Sequence, residues 1–273
     1  MNRYHVKDPD DSLIRDFIGL QDHQVRQDRE RPGGDMEMTF LAEGDQVIER
    51  AIAAGHVLST LVIDSSRKKP LPACIPDSTT VLVCEKPVIF AISGRASIRD
   101  PIGSFIRPKA LSFTDEMKSA KTVVITENVT NPTNMGALFR NASALDADLV
   151  CADSASCDPL YPRAVRVSMG QVFAVKHARI PNLHEGLTVL KSSEFTCVGL
   201  TPDPQAEDIS GLALSEETRV ALLVGAEGEG LTSLTLNKCD LRFRIPMSRN
   251  VDSLNVATAA AIALHAVREA RRR

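Results

Sequence analysis

The feature that most constrains this chain lies in its second half, where short apolar runs alternate with longer amphipathic ones. "KTVVITEN", "DLVCAD", "FAVKHARI", "FTCVGLT", "TRVALLVG" and "DLRFRIP" each have the length and content of a strand. Between and after them, "TNMGALFRNASALDA", "YPRAVRVSMG", "LHEGLTVLKSS" and "LTSLTLNK" follow helical spacing, and an alanine-rich helix closes the series. Apolar strands separated by helices predict an α/β fold with a parallel sheet covered on both faces. Ligands of such sheets sit beyond the carboxyl ends of the strands. The strand exits are Glu127-Asn128, Leu200-Thr201, Val224-Gly225 and Ile245-Pro246, so chemistry is expected on those four loops.

The first half reads as a separate, smaller α/β unit. Leu13, Phe17 and Leu20, beside Ile14 and Ile18, predict a helix entered through Asp10-Asp11-Ser12, and "QDRERPGGD" breaks it. Met36, Met38 and Phe40 alternate as a strand requires. "DQVIERAIAAGH" has helical spacing, "VLSTLVID" and "TTVLVCE" read as strands, and "KPVIFAISG" as a short helix. With 273 residues and 43% hydrophobic content, the chain can bury a substantial core, and its length suits one or two domains. The expected division is a first domain over 1–107, a linker over 108–118 where "RPKALSFTDEMKS" is weakly periodic, and a second domain over 119–273.

Composition excludes several classes. No run of 18 or more apolar residues occurs, so no membrane span is expected, and "MNRYHVKDPDDS" has no apolar core of a secretory signal. The six cysteines lack CxxC spacing and paired histidines, so the expectation is a cytoplasmic protein with buried reduced thiols, no disulfide and no metal. A net charge of −3 and a pI near 6.1 argue against a non-specific nucleic-acid binder. The charge is uneven, however. Arg163, Arg166, Lys176 and Arg179 fall in an acid-free run, and Arg95, Arg99, Arg107 and Lys109 form a second basic stretch interrupted by Asp100. Either run suits a phosphate track or an ordinary solvated surface. With no Trp and only two Tyr, a base-stacking platform is not expected.

Three stretches carry candidate chemistry. "LLVGAEGEGL", Leu222–Leu231, is a glycine loop between a strand and a helix, and such loops often cradle phosphate. Its spacing fits neither the dinucleotide fingerprint nor the P-loop, and Glu227 and Glu229 inside it would repel a pyrophosphate. A neutral or cationic ligand such as S-adenosylmethionine suits it better. A tight turn whose glycines only supply positive φ is equally compatible. "ENVTNPTNMGALFRNASAL", Glu127–Leu145, enters a helix through Asn131-Pro132-Thr133-Asn134, which capping alone would explain. Arg140 then stands six residues after Asn134, about 600° around a helix, so the two converge only if Asn134 lies on the loop. "DPLYPRAVRVSMGQVF" places Arg163 and Arg166 on one helical face, a plausible phosphate contact or a solvated one.

"NPTNMGALFRNA", "LLVGAEGEGL" and "IPMSRNVDSLNVATAAAIAL" together resemble the three motifs of SpoU (TrmH-type) RNA ribose 2'-O-methyltransferases of the SPOUT superfamily, in the family's order and spacing over about residues 120–270. The first half, with "FLAEGDQVIERAIAAG", resembles the L30e/L7Ae-like RNA-binding domain that many of these enzymes carry. The resemblance implies a catalytic domain with a deep C-terminal trefoil knot, a rare exception to unthreaded chain connections. It implies homodimers and S-adenosylmethionine as cofactor. Leu200, Thr201, Gly225, Glu227, Gly228, Ile245, Met247 and Leu254 would border the cofactor. Arg140 matches the essential motif-one arginine and Asn134 its asparagine, and Glu227, Ser253 and Asn255 match the remaining polar site residues. Arg163, Arg166, Arg95 and Arg99 are the candidate RNA contacts. Arg249 stands where many relatives have glycine, which leaves Asn250 to supply the turn's positive φ.

Methyl transfer from a sulfonium to a ribose 2'-hydroxyl is an in-line displacement, so alignment carries much of the work. A guanidinium is a poor base in ordinary surroundings, so Arg140 is expected to steady the developing alkoxide. The expected substrate is structured RNA, 23S rRNA ahead of tRNA. Two other classes compete. A non-catalytic RNA-binding protein that keeps the fold predicts damage among Arg140, Glu227 and Asn255, and all three are present. A dinucleotide enzyme conflicts with Glu227, Glu229 and the glycine spacing.

Overall fold

The structure is a computed structural model that describes residues 1–19, 29, 33–95, 98, 100–248 and 251–272. Leu20, Arg99, Arg249 and Asn250 lie outside the described residues. The chain forms two compact units, Met1–Lys109 with Leu160–Phe173, and Ala110–Pro159 with Ala174–Arg273.

The first unit holds a five-stranded mixed sheet. Its strands are β1 (Asn2–Val6), β2 (Thr39–Glu43), β3 (Leu58–Asp64), β4 (Thr80–Cys84) and β5 (Ile102–Ile106), in the order β1-β4-β3-β5-β2. β1, β4 and β3 run parallel, and β5 is antiparallel to both β3 and β2. Helices Asp45–Ala53 and Lys86–Ser93 fall where their spacing predicts, and the second ends at left-handed Gly94. The first helical pattern folds as a 3-10 helix, Ser12–Phe17, capped by the Asp11 carboxylate.

One expectation for this unit needs correction. Met38 is 68% exposed and precedes β2, while Phe40, Leu41 and Ala42 are all buried. The alternation disappears because both faces of β2 are covered. Phe40 packs with Phe105, His56 and Phe173, and Leu41 joins the cluster around Val62, Leu82 and Ile89. β1 and β5 went unread: the first exposes four of its five residues, and the second, "IGSFI", is diluted by Gly103 and Ser104.

The second unit holds a seven-stranded sheet, and every pairing in it is parallel. Its strands are β6 (Thr122–Thr126), β7 (Leu149–Asp153), β8 (Lys176–Ile180), β9 (Phe195–Leu200), β10 (Glu207–Asp208), β11 (Arg219–Val224) and β12 (Leu241–Arg244). Their order, β10-β12-β9-β11-β6-β7-β8, inserts β11 between β9 and β6. "FAVKHARI" yields only β8, because Gln171–Phe173 forms a 3-10 turn.

The central strands are apolar on both faces because helices cover both. Val123, Ile125, Ala221 and Leu223 join Leu187, Leu190 and Phe195 on one side. Their neighbours Val124, Val220 and Leu222 face the other way, where the last helix, Val256–Ala270, packs against β11. Ala257, Ala260 and Ala263 are buried there, and small side chains let this helix lie close to the helix Pro132–Ala144. The far end is pinned by Arg271, whose guanidinium donates to Thr122 Oγ1 at 2.6 Å and to the carbonyls of Lys121 and Thr218 at 3.0 and 2.8 Å.

All six cysteines are free, but not all are buried: Cys74 is exposed, and Cys157 and Cys239 are half-buried. Burial pushes the Cys84 and Cys197 thiols up to about 12 and Cys239 to about 11, which keeps them protonated at neutral pH. No described helix is long and apolar enough to cross a membrane.

Candidate active site

Because every strand pairing is parallel, the exits of β6, β9, β11 and β12 lie at one end of the sheet. The glycine loop after β11 folds back on itself there. A Cβ at Gly225 would lie 2.1 Å from the carbonyl carbon of Gly230, so only glycine fits. Gly228 and Gly230 have φ of +90° and +71°, and the Gly230 N–H donates to the Ala226 carbonyl at 3.0 Å. Positive φ therefore accounts for two of the glycines and close backbone approach for the third.

The loop is tied to the β6 exit by Glu127. Its buried carboxylate accepts from the Thr232 N–H at 2.9 Å, from Thr232 Oγ1 at 2.9 Å and from Thr235 Oγ1 at 2.8 Å. A carboxylate at the start of the helix Ser233–Lys238 also complements its dipole.

Two pockets share a wall at this end of the sheet. The first is mainly apolar, with about 660 Å³ of space open to solvent. Leu200, Thr201, Gly225, Glu227, Gly228, Ile245, Met247, Ser253 and Leu254 all line it. The second is polar, with about 780 Å³ of space, and is lined by Asn128, Thr130, Asn131, Asn134, Glu227 and Glu229 among others. Ala226, Glu227 and Val256 border both.

Three polar residues from distant motifs meet at the shared wall. Asn255 caps the last helix, and its Oδ1 accepts from the backbone N–H groups of Ala257 and Thr258 at 3.0 and 3.3 Å. With its oxygen committed, its amide nitrogen must point outward. That nitrogen donates to Asn134 Oδ1 at 2.8 Å and to Glu227 Oε1 at 2.9 Å. Asn134 is therefore fixed in turn, its oxygen toward Asn255 and its amide N–H groups away. Its Nδ2 is buried without a protein partner among the described residues. Asn134 lines the polar pocket, and a buried donor without a protein partner calls for an acceptor from water or a ligand.

Asn134 lies within the helix Pro132–Ala144, which Asn131 caps by accepting from the Thr133 N–H at 2.8 Å. It does not fold back from the loop, so Arg140 emerges on another side of the helix. Arg140 is exposed, lines neither pocket and has no hydrogen-bond or ion-pair partner among the described residues. The next residue, Asn141, donates to the Ala257 carbonyl at 2.8 Å and joins this helix to the last one.

The acid-free basic run is mostly occupied internally. Arg166 pairs with buried Glu43 at 3.4 Å, Lys176 pairs with Glu116 at 2.6 Å, and Arg179 donates to backbone carbonyls. Arg163 is exposed on the helix Pro162–Val167, and Arg95 is exposed just past the helix Lys86–Ser93. Glu127 and Asn128 stand on a loop where chemistry is expected, yet their roles depend on Thr232, Thr235 and Asp153, too far along the chain for spacing to reveal. Among the described residues no group of three or more His, Cys, Asp or Glu is placed to hold a metal.

Comparison with known proteins agrees with this geometry. An uncharacterized tRNA/rRNA methyltransferase of Mycobacterium tuberculosis is 37% identical over 262 residues, 95% of this chain and 90% of that one. Among solved structures, an RNA 2'-O ribose methyltransferase superposes with a TM-score of 0.78 at 24% identity, covering 99% of this chain and 100% of that one. An AdoMet-bound rRNA methyltransferase from Sinorhizobium meliloti also gives 0.78 at 24% identity, with 98% of each chain covered. Residues 121–265, which hold both pockets and all three polar partners, match the model of the SpoU rRNA methylase family, and the chain belongs to that family.

Proposed function

We propose that this chain is an RNA methyltransferase that uses S-adenosylmethionine and places the methyl group on a ribose 2'-hydroxyl of structured RNA, 23S rRNA ahead of tRNA. The observation that carries this is the shared wall, where Asn255 fixes both Asn134 and Glu227 between an apolar and a polar pocket. S-adenosylmethionine is the cofactor, and it supplies an electrophilic methyl group on a positively charged sulfonium.

The residues present fit that group. Gly225 to Gly228, Leu200, Thr201, Ile245, Met247 and Leu254 would hold it, largely through backbone and apolar contacts. No Lys or Arg lines the apolar pocket, and Glu227 favours a cationic ligand over a pyrophosphate. On the polar side, the Asn134 amide presents a donor to an oxygen on which negative charge grows as the hydroxyl loses its proton. Arg140 lines neither pocket, and its exposed guanidinium is available to a phosphate beside the reacting nucleotide once RNA is bound. Ser253 adds a hydroxyl to the lining of the apolar pocket. The C-terminal knot, a homodimer, a cytoplasmic location and RNA contacts through Arg163, Arg166, Arg95 and Arg99 belong to the same proposal.

Calorimetry with S-adenosylhomocysteine tests the first step, and absence of binding at millimolar ligand would defeat it. Ribose-methylation mapping of rRNA and tRNA from cells lacking the gene, before and after treatment with the protein, identifies the substrate. Cofactor binding without transfer to any RNA would favour a binding protein that keeps the fold. Arg140→Lys is expected to lower the transfer rate roughly a hundredfold, and near-full activity would remove the guanidinium from the chemistry.

A further inference from the structure

We infer that Arg179 is a positioning residue for the polar pocket: through the turn after β7 it fixes the Asn128–Val129 segment that lines this pocket together with Asn134 and Glu227. The inference rests on the reaction proposed above. Arg179 stands on β8, in register with Ala152 of β7. Its Nη1 donates to the carbonyls of Asp153 at 2.6 Å and Ser156 at 2.7 Å, which clamps the two ends of the turn. Asp153 Oδ1 then accepts from the N–H groups of Ser156 and Asn128 at 2.9 and 3.1 Å. Buried Ser156 accepts at Oγ from the Val129 N–H at 2.9 Å and from Thr126 Oγ1 at 3.0 Å. The Cys157 N–H closes the chain by donating to the Val129 carbonyl at 2.9 Å.

This buttress has a conformational task. Asn128 stands at φ +56°, in the left-handed region that asparagine tolerates better than other side-chain-bearing residues, and the Asp153 carboxylate fixes its N–H there. Asn128 and Val129 line the polar pocket, whereas Arg179 lines neither pocket. The sequence offered Arg179 another role, as one cation of a phosphate track. The geometry spends its Nη1 donors on the turn instead. Because one nitrogen makes both bonds, a lysine ammonium with three donors can replace it, and a neutral glutamine amide on a shorter stem cannot.

Arg179→Gln and Arg179→Lys in the full chain test this. In Arg179→Gln, kcat on RNA is expected to fall roughly tenfold to a hundredfold while S-adenosylhomocysteine affinity stays within about twofold, and Arg179→Lys restores most of the rate. Amide exchange at Asn128 and Val129 is expected to speed up about tenfold in Arg179→Gln, with Gly230 unchanged. Adding Ser156→Ala should lower the rate no further than the worse single variant, as expected for residues of one network. Unchanged exchange at Asn128 and Val129 would overturn the buttress. A loss confined to KM, with a shallower salt dependence, would make Arg179 a phosphate contact instead. Wild-type protein that transfers no methyl group would sink the reaction alone, and amide exchange would still decide the buttress.

Discussion

The two pockets share Glu227 but are built by opposite means. The apolar pocket takes its shape from backbone: a glycine loop folded onto itself, with apolar side chains from three strand exits around it. The polar pocket takes its character from amide and carboxylate side chains, of which Asn131, Asn134 and Glu227 are oriented by hydrogen bonds. One should therefore be intolerant of an added methyl group and the other of an exchanged donor and acceptor. The difference teaches that recognition by shape depends on φ and on missing Cβ atoms, whereas recognition by polarity depends on which atom faces the ligand.

Substitutions at three positions sharpen or break this contrast. The largest effect is expected from Gly225→Ala, whose Cβ would meet backbone 2.1 Å away. Cofactor binding should fall below detection and stability by roughly 3 kcal/mol, read by calorimetry and urea denaturation. Normal binding would break the backbone account of the apolar pocket. Next comes Asn255→Asp, which keeps the helix cap but turns an acceptor toward Asn134 Oδ1 and Glu227. The transfer rate should drop about a hundredfold with little change in melting temperature. Asn255→Ala would lose the cap as well, about 1 kcal/mol more, and a wild-type rate in Asn255→Asp with a loss only in Asn255→Ala would show that capping is all Asn255 does.

Glu127→Gln should have the smallest effect, about 1 kcal/mol, because it removes one acceptor site from a frame that supports both pockets. Cofactor affinity and transfer rate should fall together by a few-fold. A fall in only one of them would place Glu127 on that pocket rather than on the frame.

Much of the second unit was legible because its strands are buried on both faces and its loops carry dense polar motifs. β6, β7 and β11 each carry an uninterrupted apolar run, and a parallel sheet leaves few other readings of them. The first unit was less legible. β1 is an exposed edge strand and β5 contains Gly103, so neither has a pattern that spacing can detect. Met36, Met38 and Phe40 misled because local alternation says nothing about a helix or turn that covers the second face.

The sequence by itself determined the parallel sheet, the four exits where the pockets lie, and many of the residues that line the apolar pocket. Those features follow from local periodicity and from motif identity, which are carried by neighbouring residues. Only the tertiary structure decided how the residues act on one another. The Asn134 donor direction is set from Asn255, 121 residues away, and Glu127 is satisfied by Thr232, 105 residues away. Arg179 turns from a surface cation into a clamp through Asp153 and Ser156. A hydrogen bond depends on distance and angle between atoms in space, and the order of residues along a chain holds neither until the chain has folded.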